Sequence, residues 1–134
     1  MRTALWPTDL EEHRVSAERF FAGHRHEPAA VLLAFDDERG AIGFVELSIR
    51  NIVDGCTSDR VAYLEGWYVD ASVRRRGVGA ALIAAAERWA LQQGCTEFGS
   101  DSVIGNEVSE LAHLALGFEE TCRVVNFRKD LTPR

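Results

Sequence analysis

The stretch Val61-Ala-Tyr-Leu-Glu-Gly-Trp-Tyr-Val69, continued by Arg74-Arg-Arg-Gly77-Val-Gly79 and an Ala/Leu-rich run to Ala90, decides the fold of this chain. The first part is rich in β-branched and aromatic residues and is bounded by polar turns, which predicts a buried or half-buried strand. From Val78 to Leu91 the apolar residues Val78, Leu82, Ile83, Ala86, Trp89 and Ala90 recur at helical spacing. Gly77 and Gly79 stand where the strand gives way to the helix, so backbone amides there can point outward with no Cβ in the way. A glycine turn opening a helix leaves free N–H groups at the positive end of the helix dipole, and three arginines add charge. The turn therefore reads as a phosphate or pyrophosphate cradle, with a solvated basic turn as the alternative. It is not the dinucleotide fingerprint, because Leu82 occupies the place of the third glycine, and it lacks the Gly-Lys-Ser/Thr ending of a nucleotide P-loop.

Around this unit the chain has 134 residues, enough for one domain, 1–134, with a core that needs no disulfide. Apolar residues make up 46% and charged residues 27%, as in ordinary globular proteins. No apolar run approaches the roughly 20 residues of a membrane span, and Met1-Arg-Thr-Ala-Leu-Trp-Pro is no signal peptide, so a cytoplasmic protein with no membrane partner is expected. Cys56, Cys95 and Cys122 are odd in number and too dispersed for a zinc pattern, which predicts free thiols and no metal. A net charge of −6 argues against nucleic acid and favours a cationic partner.

In chain order, Thr8 or Asp9 caps a predicted helix running to about Ala22, broken between Gly23 and Pro28. Ala29–Phe35 and Ala41–Arg50 read as a hairpin around Asp36–Gly40. Asn51–Asp59 is a polar loop. After the central strand and helix, Gly94 ends the helix, Thr96–Asp101 is a short strand, and Asn106–Leu116 a second helix stopped by Gly117. Phe118–Leu131 reads as a last extended segment. A hairpin on one side of the central strand and a β–α–β crossover on the other predict a mixed, mostly antiparallel α/β (α+β) sheet flanked by helices, with one parallel pair.

Arg74-x-x-Gly77-x-Gly79 after such a strand resembles the acyl-CoA signature of the GNAT superfamily of N-acetyltransferases, and the element order is theirs. Leu64-Glu65-Gly66-x-x-Val69, Gly94-Cys95 with Ser100-Asp101, and His113-x-Ala115-Leu116-Gly117-Phe118-Glu119-Glu120-Thr121 resemble the aminoglycoside 6′-N-acetyltransferases among them, as do Leu5-Trp6-Pro7, Gly55-Cys56 and Phe127-Arg128-Lys129. Two departures stand out. Members of that branch have a strand before their Leu-Trp-Pro, which is expected to be absent here and to leave a sheet edge for a partner subunit. They also carry a tyrosine before the Gly-Cys loop, where this chain reads Asn51-Ile52-Val53-Asp54.

The resemblance implies acetyl-CoA as cosubstrate, a cationic amine as substrate (an aminoglycoside) and a homodimer. It implies CoA contacts from Trp67, Tyr68 and Val69 on the strand, from Arg74, Arg75 and Arg76, from Gly77, Val78, Gly79 and Ala80 at the turn, and from Asn106, whose other reading is a helix cap. Acetyl transfer to an amine needs an uncharged nucleophile, an orienting surface, a stabilised oxyanion and a proton for the thiolate. Carboxylates serve the first two needs. Glu65 lies in an otherwise apolar strand, and Asp101 ends its neighbour where parallel sheets open to ligands; each is a candidate catalytic and substrate-binding group, against an outward strand residue and a loop or cap residue respectively. A backbone N–H near Tyr68 or Val69 is the expected oxyanion donor. His113 stands four residues before Gly117-Phe118, where many GNAT enzymes place a tyrosine near the CoA sulfur; it is a candidate proton donor or a packing histidine. Trp6 is a substrate candidate or a core anchor. With no base evident beside the cysteines, direct attack in a ternary complex is expected rather than a covalent acetyl-enzyme. The alternatives are acetylation of another amine, such as a polyamine, small metabolite or peptide, and a non-catalytic CoA-binding module.

Overall fold

The computed structural model describes residues 29–133. The expected N-terminal helix and Trp6 lie outside them. The described chain falls into two compact units, the first ending at Asp101 and the second running from Ser102.

The first unit is a four-stranded sheet in the order β1 (Ala30–Asp36), β2 (Gly40–Arg50), β3 (Val61–Val69), β4 (Phe98–Ser100). The hairpin β1–β2 and the pair β2–β3 are antiparallel, whereas β3–β4 is parallel. This is the mixed sheet the sequence predicts. The hairpin closes because Asp36 Oδ1 accepts the amides of Glu38 and Arg39 at 2.8 and 3.1 Å and Gly40 adopts φ 78°. The crossover from β3 to β4 is α1 (Val78–Gln92), which lies on β1, β2 and β3 with Leu82, Ile83, Ala86 and Ala90 buried. Phe44, Val45, Leu47, Val61 and Ile83 are almost wholly buried and form the centre of the core.

The end of α1 follows from Gly94. At φ 81° it is in the left-handed region, so the Cys95 amide reaches back to Ala90 O at 3.0 Å and the Gly94 amide to Leu91 O at 3.0 Å. This Schellman pair satisfies two of the last carbonyls and folds Cys95 onto Ala90 and Ala62 in the core.

One feature of β3 departs from simple alternation. Glu46 pairs with Gly66 but Leu47 pairs with Leu64, so Glu65 is the extra residue of a β-bulge. Before the bulge Ala62 faces α1 with Ala90; after it Trp67 and Val69 face α1 at Gly79. Simple alternation would put Trp67 on the face of Tyr63 and Glu65; the bulge puts it on the other. An inserted residue shifts the two-residue period by one.

The second unit contains α2 (Glu107–Ala115), capped by Asn106, whose Oδ1 accepts the Ser109 amide at 3.2 Å. Its end repeats the Schellman geometry: Gly117 has φ 93°, the Phe118 amide meets His113 O at 3.1 Å and the Gly117 amide meets Leu114 O at 3.2 Å. Residues 118–133 form no strand, contrary to the expected last extended segment. A strand requires a neighbour to take its backbone hydrogen bonds, and within this unit there is none. Val125, Phe127 and Leu131 are exposed along it.

Candidate active site

At the junction of β3 and α1 the helix start leaves backbone donors uncommitted. Gly77 is the N-cap at φ 82°, no side chain caps the helix, and no acidic residue occupies its first turn. The first intrahelical bond to Gly77 runs from the Ala81 amide at 3.0 Å, which leaves the amides of Val78, Gly79 and Ala80 without an intrahelical acceptor. The two glycines are needed for different reasons. Gly77 needs the left-handed conformation, whereas a Cβ on Gly79 would come within 3.3 Å of the Trp67 ring. Trp67 therefore lies under the first turn of the helix, where it sets the spacing between strand and helix.

The three arginines are exposed but not equivalent. Arg74 donates through Nε to Val69 O at 2.9 Å and its guanidinium lies 5.8 Å from the centre of the Tyr68 ring, so it braces the end of β3. Arg75 adopts φ 67°, the left-handed region. Arg76 is close enough to Asp36 to help hold that carboxyl below its usual range, though the backbone amides of Glu38 and Arg39 dominate that shift.

β4 pairs with β3 only from Ala62 to Leu64. From Glu65 to Val69, β3 thus has strand pairing on its β2 side alone among the described residues, and its other edge presents backbone groups. Tyr68 and Val69, the expected oxyanion donors, are on this open length, leading from the bulge to the uncapped start of α1. An extended, amide-bearing ligand arm can add to such an edge as a strand would.

Opposite α1, the face of the sheet carries a polar cluster. Arg50 grips Glu65 with Nη2 at 2.8 Å from both carboxylate oxygens and with Nε at 3.0 Å from Oε1, and Ser48 Oγ donates to Oε1 at 2.5 Å. The same guanidinium lies 3.6 Å from the centre of the Tyr63 ring. Tyr63 donates its hydroxyl to Asp101 Oδ2. Burial first, and then the Asp101 carboxylate, push the Tyr63 phenol well above the ordinary tyrosine range. Glu65 and Asp101, the two predicted carboxylates, are thereby joined through two residues that sequence reasoning did not single out as functional. Tyr63 was visible only as a neighbour of Glu65, and Arg50 only as the polar end of a hairpin strand.

The loop after β2 is tied down by Glu97, which accepts the Thr57 amide at 3.0 Å and the Ser58 amide at 2.7 Å; the Ser58 amide is the main cause of its lowered pKa. Ile52, in the Asn51–Asp54 stretch where the resemblance leads one to expect a tyrosine, is exposed. The Cys56 thiol is pushed up by burial and then by Glu97, Cys95 is buried, and Cys122 is exposed.

In the second unit, His113 Nδ1 lies 2.7 Å from Ser109 O. A carbonyl only accepts, so Nδ1 is the donor in this contact. The ring meets Phe118 edge-on at 5.1 Å, the contact expected between the two ends of a Schellman motif. Asn106 is the N-cap described above. Among the described residues no group of three His, Cys, Asp or Glu side chains is arranged to hold a metal ion.

Comparison with known proteins bears on this geometry. Residues 1–118 match the model of the acetyltransferase (GNAT) family. The chain is 51% identical over 132 residues to an aminoglycoside N(6′)-acetyltransferase type 1 of Klebsiella aerogenes, covering 98% of this chain and 87% of that relative. Its structure is similar to that of AAC(6′)-Iy in complex with the bisubstrate analogue CoA-S-monomethyl-acetylneamine, with a TM-score of 0.88, 42% identity and coverage of 97% of this chain and 87% of that one. The apo enzyme AAC(6′)-IG from Acinetobacter haemolyticus gives a TM-score of 0.89 at 40% identity, with 98% and 88% covered.

Proposed function

We propose that this chain, which belongs to the acetyltransferase (GNAT) family, transfers the acetyl group of acetyl-CoA directly to the 6′-amine of an aminoglycoside. The observation that carries the reading is the continuity of the uncapped start of α1, the open edge of β3 and the carboxylates at its bulge and beyond it, all within one unit.

The amides of Val78, Gly79 and Ala80, with Arg75 and Arg76 beside them, take the CoA pyrophosphate. The pantetheine arm lies along β3 past Val69, Tyr68 and Trp67. A backbone N–H at Tyr68 or Val69 stabilises the tetrahedral oxyanion. Asp101 and Glu65 orient the ammonium group and relay its proton, which frees the lone pair to attack the thioester carbonyl. The C–N bond forms, the C–S bond breaks, and the CoA thiolate leaves. His113 is the proposed donor to that thiolate; Asn106 and Trp6 are proposed contacts of CoA and of the amino sugar. The elevated Cys56 thiol and the burial of Cys95 support direct transfer over a cysteine-bound intermediate.

The proposed compartment is the cytoplasm, which supplies acetyl-CoA and suits three unpaired cysteines. Among the described residues no helix is long and apolar enough to cross a membrane. The proposed assembly is a homodimer, supported by the exposed Val125, Phe127 and Leu131. Exposed Ile52 in the loop where the resemblance leads one to expect a tyrosine favours, as a second reading, an amine other than an aminoglycoside.

The test is acetyl-CoA turnover with kanamycin or tobramycin against polyamines and peptides, with mass spectrometry of the product. Acetylation at the 6′-amine is expected; turnover confined to polyamines or peptides selects the second reading, and CoA binding without any product refutes catalysis. Glu65→Gln and Asp101→Asn are each expected to lower kcat/KM by at least about a hundredfold.

A further inference from the structure

The two carboxylates are held very differently. Glu65 is engaged by Arg50 and Ser48, and its charge is matched by the guanidinium. Asp101 is exposed, and the side chain that hydrogen-bonds to it, Tyr63, is neutral. The negative charge of this cluster that is left to attract a cation therefore belongs to Asp101. A carboxylate at the exposed end of a three-residue strand has free χ rotations unless something fixes it, and lost side-chain freedom is a cost the substrate would otherwise bear on binding.

Tyr63 has the properties of such a fixture. It is 5% exposed and is the parallel-register partner of Gly99 on β4. A Cβ on Gly99 would stand 3.1 Å from Tyr63 Cδ2, so glycine at this position is what lets the ring lie across β4. The ring is held from its face by Arg50 at 3.6 Å, and Arg50 is held in turn by Glu65. The phenol thus reaches Asp101 from a rigid base and engages one oxygen, Oδ2, of this exposed carboxylate.

We propose that Tyr63 is a positioning residue for amine recognition, orienting the Asp101 carboxylate toward the substrate ammonium from a seat made by Gly99 and Arg50. The inference rests on the reading of Asp101 as the amine-binding carboxylate. It gives Glu65 a second duty beside its part in orienting the amine, that of anchoring, through Arg50, the clamp on Tyr63.

The test has two arms. In the first, Tyr63→Phe is compared with wild type in steady-state kinetics with tobramycin and acetyl-CoA. The ring and its packing survive, so the KM for acetyl-CoA is expected to be unchanged, whereas kcat/KM for the amine falls about tenfold, the typical loss for a hydrogen bond to a charged group. Equal damage to both substrates marks a merely structural residue, and an unaltered amine kcat/KM removes the positioning role; either overturns the proposal. The second arm needs no substrate. In Tyr68→Phe, Tyr63 is the remaining tyrosine, and its ultraviolet phenolate titration reports the Asp101 contact. Adding Asp101→Asn is expected to lower the titration midpoint by about one pH unit or more; no change overturns the pairing. Failure of wild-type enzyme to acetylate any aminoglycoside would refute the proposed function separately. The second arm would still decide the Tyr63–Asp101 pair, and the first would be run with the amine found to react.

Discussion

Arg50 and Tyr63 form the joint between the two acids of the site: the guanidinium lies flat enough on the ring to approach its centre to 3.6 Å while gripping Glu65 with two nitrogens. Side-chain exposures of 43% for Arg50 and 30% for Glu65 keep the ion pair in a largely aqueous dielectric. Its worth is therefore geometric more than energetic.

Replacing Arg50 by lysine tests that distinction. An ammonium group cannot grip both carboxylate oxygens and stack on a ring at once. Arg50→Lys should cost no more than about 1 kcal/mol in urea unfolding, yet raise the KM for the amine about fivefold. An unchanged amine KM would reduce the Arg50 clamp to surface decoration.

Alkaline stability follows from the raised phenol of Tyr63. Its proton is bound more tightly in the folded state than in the unfolded chain, so its contribution is fully present below the ordinary tyrosine pKa of about 10. It is lost as pH rises from there through the folded value, with a slope approaching about 1.4 kcal/mol per pH unit. Wild type should lose stability over this window more steeply than Tyr63→Phe in denaturant titrations. Parallel curves for the two proteins would contradict the assignment.

Gly77→Ala places a Cβ at φ 82°, a conformation that costs an L-residue about 1–2 kcal/mol. Open space surrounds that position, so the strain is in the backbone and not in a clash. The first turn of α1 is expected to loosen and the KM for acetyl-CoA to rise about tenfold with the amine KM unchanged. Calorimetric titration with CoA alone reads the same loss without turnover.

His113→Phe separates two duties. An aromatic ring keeps the edge contact on Phe118, while the imidazole nitrogens disappear. Turnover is expected to fall about a hundredfold, as for loss of a general acid, with the thermal midpoint preserved. Full activity in this variant would leave His113 as a packing residue at the helix end.

Much of the fold was legible because it is written locally. The apolar periods of Val61–Val69 and Val78–Leu91 predict the strand and helix observed at Val61–Val69 and Val78–Gln92. Gly94 and Gly117 predict two helix ends that the structure builds as Schellman motifs, and Asp36–Gly40 predicts the hairpin. The uncapped start of α1 at Gly77 was legible for the same reason, since it forms without help from distant residues. Phe118–Leu131 reads as extended, but a strand also needs a neighbour, and the local sequence does not supply one.

The sequence by itself thus determined the elements from Ala30 to Ala115, their order, the parallel crossover and the glycine turn that opens α1, since short-range sterics and backbone hydrogen bonding fix these within a few residues. Only the tertiary structure decided how the candidate site is wired. The bulge at Glu65 depends on the register of β3 against β2, and it moves Trp67 to the opposite face. Arg50 meets Glu65 across 15 positions and Tyr63 meets Asp101 across 38. Such contacts are set by which strands pair and where a glycine leaves room for a ring, and neither is encoded in the local period of the chain.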